Sequence, residues 1–386
     1  MIFRIILALV AALTLGSVTV VTAQPNSTAA APPHSTAPIA PASGGKWRIA
    51  YVESGDYVDY PLTLGETVDG LELLGWLEYA SPRPDDLSGP HLWKWLAANT
   101  RSDWLEFVED AYWRPGNFES DQRAPMRHAI SERLHSKGDI DLIIAMGTWA
   151  GQDMRELGPP VPTIVGSVSD AIASGLSDSE SDSGRDNMHT RIEPERYQRQ
   201  LRLFHEIVGF NTLGIVYENT DEGRSYAALG AAKQVAEELG FKLEHCHAPS
   251  SNIPLEKAVE NAVNCYDELA KRHVDAVYVT THRGVTAESV EQIAANLLQA
   301  RIPSFSMAGS REVRKGLLMS IAQADLSHVG LFHAETIART LNGARPRELS
   351  QLWVAPPKIA LNLSTSRRIG FDPPVDILLA ADEVYE

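Results

Sequence analysis

The chain has 386 residues, 44% hydrophobic and 22% charged, the balance of a folded protein too long for one ordinary core. Its 50 acidic residues outnumber 34 basic ones for a net charge of −16, which excludes a nucleic-acid binder and disfavours an anionic membrane surface. Beyond the N-terminus no segment is apolar enough to span a bilayer.

At the start, Arg4 precedes the apolar run Ile5–Val21, and Val21-Thr22-Ala23 offers a small-residue cleavage site. That run of about 17 residues is short for a membrane span, and no basic stop-transfer cluster follows it. Residues 1–23 therefore read as a cleaved signal peptide, and the mature protein as soluble and periplasmic. No cysteine near the cleavage point would accept a lipid. Gln24–Gly45 is Pro, Ala, Ser and Thr without a core pattern, and reads as a disordered leader over residues 24–45.

From Lys46 short Ile/Val/Tyr runs alternate with helical patterns, as βα units around parallel sheets do. Strands are expected at Trp47–Glu53, Trp104–Tyr112, Asp141–Met146, Thr163–Ser167, Thr212–Tyr217, Lys242–His247, Ala276–Thr281, Ser304–Ser306 and Leu317–Ile321. Helices are expected at Leu62–Leu77, Asp121–Ser136, Pro194–Val208, Arg224–Leu239, Pro254–Arg272, Ala287–Ala300 and Leu326–Leu341. Tyr79–Arg101, with Pro82, Pro84, Pro90, Trp93 and Trp95, reads as an insertion. The acidic, serine-rich Ser174–Arg191 reads as unable to join a core.

Cys246 and Cys265 are the only cysteines. In an oxidising compartment they can close a loop worth about 3 kcal/mol. Free buried thiols are the alternative, since a strand end and a helix middle can lie too far apart to bond. No metal site is expected, as no His pair at metal spacing accompanies them.

Several segments together resemble the ABC-transporter substrate-binding proteins of the type I periplasmic-binding fold, in the branch that includes aromatic amino acid binders. They are Asp141–Thr148, ending Met146-Gly147-Thr148; Val165-Gly166-Ser167-Val168-Ser169-Asp170; and Ile215–Asn219 with Glu222 and Ser225. Val277–His282, Gly316–Ile321 with Asp325 and Gly330, Asn342–Pro346, Ile359–Asn362 and Ala380–Val384 follow in the same order. The resemblance covers residues 46–386. It implies an α/β fold of two Rossmann-like lobes, each a mainly parallel sheet flanked by helices, joined by a three-crossing hinge. The N-terminal lobe is expected to hold residues 46–170 plus 308–343, and the C-terminal lobe 190–307 plus 344–386. The crossings are expected near Val168–Thr190, Met307–Ser310 and Gly343–Pro346.

In such a fold the loops at the strand ends hold ligand. Ser54, Gly55 and Tyr57 follow the first strand and either line the rim or form a plain turn. Gly147 and Thr148 open a helix whose N–H groups can hold an anion, or merely cap it. Trp149 stands where the family usually has a small residue, and is either a flat wall for a ring or a core side chain. Ser169 and Asp170 lie at the first crossing. Tyr217, Asn219, Glu222 and Ser225 face the cleft from the second lobe, with Glu222 alternatively a helix-terminal acid. Thr281 ends its strand at the same rim, and His282 and Arg283 stand where the family commonly has an Asp-Asn pair, which disfavours a ligand ammonium group; they either meet an acidic or polar ligand group or are a core histidine and a surface arginine. Asp325 is a ligand contact for a cationic group or an N-cap.

No catalytic constellation competes. Gly166-Ser167-Val168-Ser169-Asp170 lacks the closing glycine of a nucleophile elbow, and no phosphate loop or dinucleotide fingerprint follows the first strand. No enzyme and no cofactor are expected. The expectation is a monomeric receptor for a small molecule, aromatic or carboxylate-bearing, that meets an ABC permease and touches the membrane only through that partner. The alternative is a sensing subunit that docks to a membrane sensor receptor.

Overall fold

The computed structural model describes residues 34–84, 86–321, 326–354 and 358–386. The signal-peptide expectation for residues 1–23, the first part of the leader and the candidate Asp325 lie outside the described residues.

The first lobe runs β1 (Trp47–Glu53), α1 (Asp59–Leu73), β2 (Glu78–Tyr79), α2 (Gly89–Asn99), β3 (Thr100–Arg101) and β4 (Leu105–Trp113). It continues with α3 (Arg123–Ser136), β5 (Leu142–Met146), α4 (Thr148–Leu157), β6 (Thr163–Gly166) and β7 (Met188–Thr190). Its sheet has the order β4-β1-β5-β6-β7, parallel throughout. The second lobe follows as α5 (Arg196–Val208), β8 (Thr212–Tyr217), α6 (Asp221–Tyr226), α7 (Leu229–Leu239), β9 (Lys242–His247) and α8 (Leu255–Lys271). Then come β10 (Ala276–Val279), α9 (Ser289–Gln299), β11 (Ser304–Ser306), α10 (Ser310–Arg314) and β12 (Met319–Ser320). The chain returns to the first lobe as α11 (Ser327–Leu341). It ends in the second with β13 (Ile359–Asn362), α12 (Leu363–Ile369), α13 (Val375–Ala380) and β14 (Ala381–Tyr385). The second sheet has the order β14-β13-β12-β11-β10-β8-β9, with β12 and β13 antiparallel.

Central strands are buried on both faces, which is why they read as unbroken apolar runs. Alternate residues of β1 and β5 feed two cores: Ile49, Tyr51, Leu142 and Ile144 on one face, Ala50, Val52, Ile143 and Ala145 on the other. The second sheet repeats this, with Leu213, Ile215 and Tyr278 on one face and Val216, Val277 and Val279 on the other. α11 docks on α1 where Gly70 and Gly330 let the two backbones approach. A Cβ on Gly330 would stand 2.3 Å from the Glu66 backbone.

Several expectations need correction, and the insertion gains a role. The tether reading of residues 24–45 does not hold from Thr36 onward: Trp76 Nε1 donates to the Thr36 carbonyl and Trp47 Nε1 to that of Ile39, each at 2.8 Å. The insertion contributes to the core, because α2 buries Leu92, Trp93 and Leu96 and stacks Trp93 on Tyr51 at 5.4 Å. The serine-rich stretch ends in a buried edge strand, β7, and also buries Leu176. Finally, the second crossing is not at Met307–Ser310: the chain is still in the second lobe at Ser320, and α11 packs on α1 in the first. Phe305 pairs with Met319 in the second sheet, so residues 310–320 belong to that lobe. The other crossings shift too: β7 keeps Met188–Thr190 in the first sheet, so the first crossing is residues 191–195 and not Val168–Thr190, and Leu352 still pairs with Ile192, so the third lies beyond Gly343–Pro346.

The cysteines are joined. Cys246 is the penultimate residue of β9, Cys265 sits on α8, and α8 packs closely enough to bring their Cα atoms to 5.5 Å.

Candidate functional site

The carboxyl ends of both sheets face one cavity of about 150 Å3. An apolar void of about that size admits a benzene ring. The first lobe brings loops after β1, β5, β6 and β7; the second brings those after β8, β9, β10, β11 and β12. The lobes meet around it. Ser120 N–H donates to Asn252 Oδ1 at 2.8 Å and Asn252 N–H to the Phe118 carbonyl at 3.2 Å. Asp59 pairs with Arg311, and the Arg283 guanidinium stands 5.8 Å over the Phe118 ring. Tyr197 donates its hydroxyl proton to the Ser169 carbonyl at 3.1 Å.

On the first-lobe wall the lining residues include Tyr57, Tyr60, Phe118, Thr148 and Ser169. Ser54, Gly55, Gly147, Trp149 and Asp170 are not among them. Ser54 Oγ donates to the Met146 carbonyl and accepts from Ala150 N–H, so it caps the start of α4 from below. Gly147 has φ +92°, and a Cβ there would meet Tyr60 Oη at 2.0 Å. Gly55 lies under the Phe118 ring, which would be 2.4 Å from an added Cβ. Trp149 is a core residue, 4% exposed, edge-on to Phe118 at 5.8 Å with the Arg123 guanidinium 4.7 Å over its ring. Of its two readings the core side chain is the one seen, and Phe118 in front of it lines the cavity. Asp170 Oδ1 accepts from the Ile172 and Ala173 N–H groups at the following turn.

On the second-lobe wall Thr281 and His282 line the cavity. His282 is spent on the backbone. Its Nδ1 accepts from Gly284 N–H at 2.9 Å, so Nε2 carries the proton it donates to the Ala248 carbonyl at 2.9 Å. Burial lowers its pKa further, leaving a neutral ring. Tyr217, Asn219, Glu222 and Ser225 do not line the cavity. Tyr217 contacts His245 and His247, Asn219 accepts from Arg224, and Glu222 sits in the first turn of α6, where Thr220 is the cap. Ser225 is buried on the same helix.

The comparisons with known proteins agree. Residues 117–385 match the family described as ABC transporter substrate binding protein. The chain belongs to this family. No curated protein matches it. Among solved structures the chain is similar to the ABC domain in complex with L-Trp from Streptococcus pneumonia, at 18% identity and TM-score 0.65. A conserved domain protein from Vibrio cholerae has 18% identity and TM-score 0.63. In both cases the likeness covers 88% of this chain and 99% of the other. A ligand-free, open substrate binding protein with adhesive properties from Clostridium difficile has 19% identity, the same coverage and TM-score 0.55. The fold of this substrate-binding family member is thus the type I periplasmic-binding fold. No helix among the described residues is long and apolar enough to cross a membrane.

Within that family fold, the charges of the cavity other than Arg283 were not foreseen. Five arginines (191, 196, 199, 283 and 311) and three carboxylates (Asp59, Glu193 and Glu218) are among its described lining residues. Burial raises the Glu218 pKa, but hydrogen bonds from the N–H and hydroxyl groups of Ser250 and Ser251 outweigh it and hold the carboxyl below its ordinary value. Arg283 Nη1 is occupied by the carbonyls of Ser250 and Ile253, at 2.6 and 2.7 Å. Tyr60, Tyr226 and Trp353 add aromatic surface. These residues escaped a linear reading because they stand one to a loop, with no spacing motif. The Arg/Glu density of 191–199 was the available signal, split in the linear reading between the serine-rich stretch and the helix at Pro194–Val208.

Proposed function

We propose that this chain is an extracytoplasmic solute-binding protein that captures one small molecule in the interlobe cavity and delivers it to an ABC permease. The observation that carries this reading is the meeting of strand ends from both sheets at a single cavity, with hydrogen bonds linking the lobes around it. A ligand touching both walls favours the shut form over the open one, the hinge mode of domain motion. Tyr57, Thr148, Ser169, Thr281 and His282 contribute to the wall. The protein acts as a monomer, after removal of residues 1–23.

A broad metabolite screen by thermal unfolding tests the reading. A binding solute raises the melting temperature and compacts the protein in small-angle scattering, and cells lacking the protein lose uptake of that solute. Indifference to every solute would overturn it. N-terminal sequencing of the secreted form should begin at Gln24.

A further inference from the structure

Arg191 begins the first crossing, and Trp353 lies on the third. The two segments pair, with Ile192 N–H donating to the Gln351 carbonyl at 2.7 Å and Trp353 N–H to the Ile192 carbonyl at 2.9 Å. This sets the Arg191 guanidinium on the Trp353 ring at 4.9 Å, with the arginine side chain only 9% exposed. Its Nε and Nη1 are buried without a hydrogen-bond acceptor. The carboxylate at hand, Glu193, is 3.6 Å from Nη1. Glu193 is also shared, accepting from Arg199 at 3.0 Å and lying 3.8 Å from Arg196. Three guanidiniums therefore surround one carboxylate. The other carboxylates among the described lining residues are committed elsewhere, Asp59 to Arg311 and Glu218 to the serine pair.

A buried cation without a matched anion is costly, and the cost falls when an anion arrives with hydrogen-bond acceptors. Burial and the charge of Arg196 both push the Arg191 pKa down, as that imbalance requires. Aromatic rings face the same space, with Tyr57 edge-on to Tyr60 at 5.3 Å.

We propose that Arg191 is the anion receptor of the cavity, and that the captured solute is a small carboxylate with a flat apolar body, its charged end held at the hinge between Trp353 and the Glu193 cluster. This rests on the solute-binding reading and narrows its ligand class. Because Arg191 and Trp353 come from two different crossings, the same contact joins charge recognition to lobe closure.

The test compares phenylacetate, indole-3-acetate and L-tryptophan with their primary amides, by calorimetry on the full mature chain. At least one acid should bind ten-fold or more tightly than its amide. Arg191→Gln should weaken that acid ten- to hundred-fold and bring the ratio of acid to amide affinity down toward one. Arg191→Lys, which keeps the charge without the planar fork, should fall between them and guards against a folding defect, with circular dichroism as control. Equal binding of acid and amide, or an unaltered acid affinity in Arg191→Gln, overturns the anion receptor while solute capture stands. Binding of neutral sugars or nucleosides alone has the same meaning. Absence of binding by every solute, charged or neutral, overturns both.

Discussion

Trp149 shows how a side chain's role depends on what stands in front of it. Buried behind Phe118, it contributes packing to the first lobe. Trp149→Ala should cost about 3–5 kcal/mol of stability in urea unfolding, the range for deleting a large core ring. Two buried carboxyls set a pH dependence of opposite sign to the usual acid one. Burial pushes Glu53 up to about 7 against hydrogen bonds from Tyr112 and Tyr51, and pushes Glu312 up to about 7 against one from Ser306. Between the ordinary value of 4.5 and 7 the folded chain keeps protons that the unfolded chain releases. Their stabilising effect is therefore full at the acid end and is lost as the pH rises through 7, by roughly 3 kcal/mol per group. Urea midpoints at pH 5 and pH 8 should show it, and Glu53→Gln should flatten the difference.

At the level of elements, the disulfide ties the edge strand β9 to α8. Edge strands have one pairing partner, so a covalent tie has most to hold there. Reduction, or replacement of both cysteines by alanine, should lower stability by about 3 kcal/mol, the loop-closure value for a cross-link of this span. A comparison of urea curves with and without reductant measures it. Strand boundaries at Trp47–Glu53 and Thr212–Tyr217 were legible because apolar runs bounded by polar turns are local signals. α2 was obscured by its prolines. Pro90 in fact occupies the first turn, where a missing N–H costs nothing. β7 was obscured by its own composition: Met188, His189 and Thr190 are buried by neighbours, not by an apolar pattern.

Across the molecule, Asn252 is the hinge's counterpart at the far side of the cleft. It joins the lobes through its backbone and side chain, in the left-handed conformation with φ +57°. Asn252→Gly keeps that conformation and deletes the side-chain bond. It should shift the balance toward the open form by about 1 kcal/mol, roughly five-fold, seen as a larger radius of gyration without ligand and weaker capture of any solute that binds. The alternation of strands and helices, the division into two lobes and the family itself were readable from the chain alone, because hydrophobic periodicity and short strand-end motifs are written within a few residues of one another. The position of the second crossing, the bond between the cysteines and the charge balance of the cavity were decided by tertiary packing. Arg191 and Trp353 are far apart in the sequence, and their contact exists only because two crossings pair beside the same cavity.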